Sequence, residues 1–248
     1  MSGIFYQLGK KAGPKLRKAK WAWTAATATQ DEAIAAERAA GADLAQVVRQ
    51  QRRHCAEPDI VELVDATGTA LIERVKDKRR TFDFICLAGE SPEAFCLPGG
   101  FVFVSRAMID LCDRSPDRLA FVMSHEIAHI LEGHAMQRMI GSTVIRAAGR
   151  LGAAKYAAAG GVLRSLGIDF LTKAYSRDQE RAADEMGLRL AIAAGFSGQA
   201  AIEVFEKLAA LEKPTLTGAY FSTHPEAKER IAGLRKLLAD RQKHTARD

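Results

Sequence analysis

The stretch Ser115 to His134, SPDRLAFVMSHEIAHILEGH, most constrains what this chain can fold into. Ser115 is an N-cap candidate, Pro116 suits a first helical position and Asp117 places an acid in the first turn, so a helix is expected to start there. Beyond it, Leu119, Phe121, Val122, Met123, Ile127, Ala128, Ile130 and Leu131 are apolar nearly all round, the pattern of a helix running through the middle of a domain. Inside that run stand His125, Glu126 and His129. Unpaired polar groups are costly in such a place, so the fold has to supply them with partners. A metal ion would do so.

On a helix, residues four apart share a face about one turn apart, so His125 and His129 can aim their imidazoles at one ion. Catalytic zinc takes three protein ligands and keeps a fourth position for water; Glu126, next to the first histidine, is placed to take that water's proton. H-E-x-x-H is the zincin pattern. The plainer alternative is an amphipathic core helix with two incidental histidines.

The third ligand has to come from elsewhere. In the metzincin pattern H-E-x-x-H-x-x-G-x-x-H, the required offsets fall here on Glu132 and Ala135, and Gly133 and His134 each miss by one. His134 is therefore expected beside the ligands or in packing, not as a ligand. A better candidate lies in Ser176 to Glu185, where Glu180 and Asp184 are four apart on one helix face. One carboxylate can ligate zinc while the other holds a ligand histidine through its free ring nitrogen, which is the gluzincin solution. A solvated, charged helix surface is the alternative, and Ala182, Ala183, Met186, Leu188, Leu190 and Ile192 speak against it. Further on, His224 precedes Pro225 and a run with Arg230, Ile231, Leu234 and Leu237. There it can donate a hydrogen bond to an oxyanion, although taken alone it reads as an ordinary cap.

Together these segments resemble metallopeptidase family forty-eight, the gluzincins that include the HtpX-like, Oma-like and BepA-like proteases and the CaaX prenyl proteases. The matching residues are His125-Glu126-Ile127-Ala128-His129, Glu180-Arg181-Ala182-Ala183-Asp184, Ser222-Thr223-His224-Pro225 with Arg230, and Ala94-Phe95-Cys96-Leu97-Pro98-Gly99-Gly100-Phe101-Val102-Phe103-Val104. The resemblance spans about residues 80 to 238. It implies one Zn2+ held by His125, His129 and Glu180, with Glu126 as general base, Asp184 orienting a ligand histidine and His224 steadying the transition state. Arg230 belongs to the pattern with its role, catalytic or structural, left open. The family often has Asn where this chain has Glu93.

The fold expected is α+β and mainly helical, a zincin-like catalytic domain with a small β-sheet beside the H-E-x-x-H helix. Helices are expected near 31 to 54, 59 to 78, 106 to 112, 116 to 138, 177 to 194, 198 to 211 and 225 to 240. Thr81 to Leu87 and Phe101 to Val104 read as two strands, with Pro98-Gly99-Gly100 as a turn. An edge strand beside the zinc can hold an extended protein or peptide substrate by main-chain hydrogen bonds, an ordinary core hairpin being the alternative. Residues 1–30 read as a basic arm and 31–248 as one metallopeptidase domain, with a Gly/Ala-rich insert near 141–174 that could cover the cleft. Cys55, Cys86, Cys96 and Cys112 lack the paired spacing of structural zinc and read as reduced core thiols, with Cys86 and Cys96 able to approach across a hairpin.

The net charge is +6. Lys10, Lys11, Lys15, Arg17, Lys18 and Lys20 account for all of it, with no acid in residues 1–30 and a balance of zero over the rest. That argues against a general nucleic-acid face. With Trp21 and Trp23 beside those cations, the arm can rest on an anionic membrane surface, or else pack on the domain. With no continuous apolar h-region or transmembrane span visible, the expected location is cytoplasmic, with membrane association through the arm as the alternative. The reading is a zinc-dependent endopeptidase that hydrolyses peptide bonds by metal-activated water, with protein quality control as the role the resemblance implies. The rival is a non-catalytic, zinc-stabilised chaperone-like or tethered binding protein; Glu126 argues against it, because structural zinc sites are closed by four ligands and need no base.

Overall fold

The computed structural model describes residues 29–140, 174–211, 220, 223–224 and 227–245. The basic arm up to residue 28 and the Gly/Ala-rich insert up to residue 173 lie outside them.

Helix α1 (Gln30–Gln51) opens with a capping box: the Glu32 N–H donates to the Thr29 hydroxyl, and the Thr29 N–H donates to the Glu32 carboxylate. It buries Glu37, Gly41, Leu44, Ala45 and Val48, one face at helical spacing. Helix α2 (Pro58–Ile72) starts with proline in its first turn and buries Ile60, Val64, Thr67, Gly68 and Leu71 in the same rhythm. Strands β1 (Asp83–Leu87), β2 (Ala94–Leu97) and β3 (Phe101–Ser105) follow. Then come α3 (Arg106–Leu111), α4 (Pro116–Leu131), α5 (Arg177–Ala193), α6 (Ala200–Ala209) and α7 (Ala227–Thr245).

The sheet corrects the two-strand expectation. It has three strands in the order β1-β3-β2, and β1 runs parallel to β3, so the flanking segments do not form a hairpin with each other. The hairpin is β2 with β3, folded about Pro98-Gly99-Gly100. Ala94–Leu97 was too short and too mixed in composition to stand out as a strand. Because β3 lies between their strands, Cys86 and Cys96 do not face each other across a hairpin; all four cysteines are buried free thiols.

Both faces of the sheet are covered. Ile85, Leu87, Phe95, Leu97, Phe101 and Phe103 pack with Leu44, Ala45 and Val48 of α1. Cys86, Ala94, Cys96, Val102 and Val104 point the other way, into a core shared with α2 and α4 and continued by α5, α6 and α7. The outer edge of β1 is occupied: His54 bridges Leu87, the Cys55 N–H donates to the Cys86 carbonyl at 3.0 Å, and the Ala88 N–H donates to the Arg53 carbonyl at 2.8 Å. β2 forms the other edge. The Ser105 N–H donates to the Glu93 carbonyl at 2.9 Å, which fixes the alternation and turns the main-chain groups of Ala94 and Cys96 away from β3.

The helix expected over 116 to 138 is two helices. α4 stops at Leu131, Gly133 takes a left-handed φ of 71° and donates to the Ile130 carbonyl, and helix resumes at 134. A glycine accepts that conformation without the Cβ penalty other residues incur. The turn brings residue 134 against His129, which a position five residues further along a continuous helix would not face. Ser115 stands at the N-cap position as expected, although its hydroxyl makes no capping bond.

α4 and α5 form the closest helix pair, and Gly187 makes the approach possible. A Cβ there would lie 2.9 Å from the His125 nitrogen and 3.0 Å from its Cα, both backbone atoms. Gly187 follows Glu180 and Asp184 on the same face, so that face presents two carboxylates and a gap to the histidine helix. Gly187→Ala is expected to push the helices apart, lowering stability in chemical denaturation by about 1–3 kcal/mol and weakening metal binding. An unchanged denaturation midpoint would show that the pair tolerates a wider crossing.

Candidate metal centre

His125 and His129 stand one turn apart on α4 with their Nε2 atoms 3.1 Å from each other. Glu180 of α5 reaches between them, its Oε2 3.6 Å from His125 Nε2 and its Oε1 3.4 Å from His129 Nε2. His224 enters from the segment before α7, its Nδ1 3.0 Å from Glu180 Oε1 and 3.3 Å from His125 Nε2. One ligand atom from each of the four lies within 4.8 Å of the others, and all four residues are buried. A tetrahedral zinc ion with bonds of about 2.0–2.1 Å has its ligand atoms roughly 3.3–3.4 Å apart. The observed separations bracket that value.

The cluster also contains polar atoms without a hydrogen-bond partner. Both Glu126 oxygens, Glu180 Oε2 and His224 Nε2 are enclosed without a hydrogen bond. Glu180 Oε2 is not isolated electrostatically, because Arg230 Nη1 lies 2.6 Å away as an ion pair without hydrogen-bond alignment. Two imidazole nitrogens converging on a carboxylate in a buried place leave a position that suits a cation. The residues present therefore fit a metal.

The surroundings orient the donors. His125 Nδ1 is 3.1 Å from Asp184 Oδ1, so a proton on Nδ1 donated to that carboxylate leaves Nε2 bare toward the cluster. Arg230 grips both carboxylates: its Nε donates to Asp184 Oδ2 at 2.8 Å, its Nη2 to Asp184 Oδ1 at 2.6 Å, and its Nη1 faces Glu180. Its guanidinium also rests over the Phe205 ring at 4.5 Å. Burial raises the Glu180 carboxyl, but the His224 and Arg230 charges overcome it and hold it far below the usual range. For Asp184 burial is likewise outweighed by Arg230, and its carboxyl is lowered. Burial and Arg230 lower His125, yet its bonds to Asp184 and Glu180 carry it up to about 9. Burial takes His129 well below its ordinary value despite Glu180. The two carboxylates stay ionised, as metal ligation and its support require.

The candidate site residues from the sequence lie here. His134, expected beside the ligands or in packing and not as a ligand, lies beside one of them, its Nδ1 3.1 Å from His129 Nδ1. It touches a candidate ligand and is not one of the four clustered donors. His224 lies deeper than a helix cap: its Nδ1 is among the candidate ligand atoms, and its Nε2 is 3.3 Å from Glu126 Oε1. Sequence reasoning missed Tyr175, whose ring stacks on His129 with centroids 3.7 Å apart, and Arg138, whose guanidinium lies over that ring. The one available sign was position: Tyr175 directly precedes Ser176, the N-cap of the helix that carries Glu180. Glu93, where the family often has Asn, pairs with Arg52 beside β2.

The model of peptidase family M48 matches residues 62–238, well over half of the chain. The chain belongs to peptidase family M48. It is 34% identical over 155 residues to the mitochondrial metalloendopeptidase OMA1 of Saccharomyces cerevisiae, covering 60% of this chain and 44% of that one. It is 31% identical over 150 residues to the metalloprotease YcaL of Escherichia coli, covering 59% and 58%. A putative beta-barrel assembly-enhancing protease of Vibrio cholerae is 28% identical over 200 residues, covering 73% and 39%. The chain thus spans less than half the length of the yeast and Vibrio relatives. M48 metalloproteases depend on a metal, and the buried His-His-Glu-His group is a potential place for it in this chain.

Proposed function

We propose that this chain is a zinc-dependent endopeptidase whose zinc is held by His125, His129 and Glu180. The observation that carries this reading is the meeting of two imidazoles and a carboxylate at tetrahedral spacing, next to a glutamate whose oxygens have no hydrogen-bond partner. When bound, zinc lowers the pKa of a water and polarises the scissile carbonyl. Asp184 holds His125 by its Nδ1, and Arg230 fixes Asp184 and Glu180 relative to each other. His134 accepts from His129 Nδ1 and so sets the tautomer that presents Nε2. Glu126 accepts the proton of the attacking water and delivers it to the leaving amine. His224, with its Nε2 unbonded beside Glu126, donates to the oxyanion as it forms.

Substrates are proteins or peptides, as the family implies. The outward main-chain groups of Ala94 on β2 support binding of an extended segment, the Cys96 carbonyl being taken by Arg138 and the opposite edge of the sheet bearing the His54 segment. The name of the Vibrio relative supports a part in the quality control of other proteins. No specific nucleic-acid partner belongs to this reading, because the charge outside residues 1–30 sums to zero. A contact between the basic arm and an anionic membrane surface does belong to it. No described helix is long and apolar enough to cross a membrane.

One observation favours the non-catalytic alternative: His224 Nδ1 lies where a fourth ligand would, and four protein ligands make a closed, structural zinc site. Glu126 separates the two, because a structural site has no use for it. Glu126→Gln is expected to keep one zinc per chain by elemental analysis and to lose cleavage of a labelled, unfolded protein by at least about a hundredfold. Cleavage at the parent rate would leave the structural reading standing. Removing residues 1–28, which leaves the Thr29 cap of α1 in place, is expected to abolish sedimentation with vesicles containing phosphatidylserine and to leave cleavage of soluble substrate unchanged; undiminished sedimentation would exclude the arm as the contact.

A further inference from the structure

Tyr175 is buried and takes no part in the chemistry described so far, yet its ring lies directly against that of the candidate ligand His129. Its ring lies parallel to that of His129, centroids 3.7 Å apart and planes 13° from each other. A ring so close occupies that face completely. The Arg138 guanidinium, 4.0 Å above the Tyr175 ring centroid, must therefore cover the opposite face. The result is a three-layer stack of guanidinium, phenol and imidazole in the interior of the protein.

Both ends of the stack are attached. His129 points Nε2 at the metal position and Nδ1 at His134. Arg138 Nη2 donates to the Cys96 carbonyl at 3.4 Å, one of the main-chain groups that β2 turns away from β3. The phenol also bridges to β2, its oxygen 3.6 Å from Cys96 Sγ, and the Tyr175 N–H donates to the Thr223 carbonyl at 3.1 Å, one residue before His224. Burial pushes the phenol well above its ordinary range. An imidazole ligand has one torsional freedom that its hydrogen bond at Nδ1 limits only partly, namely rotation out of plane. A parallel ring pressed against its face removes that freedom.

We propose that Tyr175, clamped between His129 and Arg138, is a positioning residue that sets the plane of the His129 ligand and ties it to the edge strand at Cys96. It acts through the ring face, with the hydroxyl secondary, and Arg138 supplies the load on the outer side. This rests on His129 being a metal ligand, as proposed above.

The test is metal affinity of the full chain, measured by competition with a chromophoric zinc chelator, with the visible spectrum of the cobalt-substituted protein as a second readout. Tyr175→Leu removes the ring and is expected to raise the zinc Kd by about 10–100-fold, the usual effect of losing a support behind a ligand, and to alter the cobalt d–d bands. Tyr175→Phe keeps the ring and is expected to stay within about threefold of the parent with the parent spectrum. Arg138→Gln, which removes the outer layer, is expected to raise Kd severalfold, and it carries the test if the leucine variant does not fold. A residue that only stabilises the fold would lower the melting temperature of the metal-free protein and leave Kd and spectrum in place. Parent affinity and spectrum in Tyr175→Leu, or in Arg138→Gln where that variant alone is measurable, would overturn the inference, as would a phenylalanine variant as weak as the leucine one. If the parent itself binds no zinc, the metal-site reading fails first, and the two failures are distinguishable.

Discussion

Two carboxylates sealed in an apolar interior are the constraint on which the rest of the structure depends. Glu180 and Asp184 are both nearly inaccessible, and an ionised carboxylate in such a place has to be answered by positive charge and hydrogen bonds. Arg230 supplies the charge from α7, with Phe205 of α6 beneath its guanidinium, so α5, α6 and α7 meet at one point. His125 supplies the hydrogen bond from α4. What remains is one side of Glu180 facing two imidazole nitrogens, and that residual demand for a cation is what the proposed metal would meet. The fold and the chemistry meet in one cluster: the pairing that stabilises the carboxylates also orients the donors.

The same cluster explains why the α4 and α5 crossing is so tight. A carboxylate on one helix reaches an imidazole on the next at ligand spacing only if the backbones approach closely, and Gly187 concedes the space opposite His125. The sheet sits on the other side of α4, with β2 as the edge whose Cys96 lies against Tyr175. The candidate metal donors, the glutamate proposed as base and the strand proposed to hold substrate are thus set on three rigid elements, an arrangement that holds a reacting geometry better than loops do.

Much of this was legible in the sequence because it was written in helical spacing. Four-residue intervals placed His125 with His129 and Glu180 with Asp184, and Ser115-Pro116-Asp117 dated the start of α4. Spacing fails wherever the chain stops being a helix. It put His134 outside the ligand set, where it stays, but did not foresee the left-handed Gly133 turn that carries it against His129. It also had nothing to say about partners brought by tertiary packing. Arg230 was visible as a pattern residue, but its double grip on Asp184 and Glu180 was not, and Tyr175 has no periodic signature at all. The sheet was half legible: the aromatic and β-branched runs of β1 and β3 stood out, while four-residue β2 and the parallel pairing of β1 with β3 depend on long-range contacts that no local preference encodes.

The most direct test of the central claim, that α4 and α5 share one catalytic zinc, is anomalous diffraction collected on either side of the zinc absorption edge from crystals of the Glu126→Gln protein. The expected result is a single ion bonded to His125 Nε2, His129 Nε2 and Glu180 at about 2.0–2.2 Å. An ion bound elsewhere, or one held by the histidines with Glu180 still turned wholly to Arg230, would contradict it.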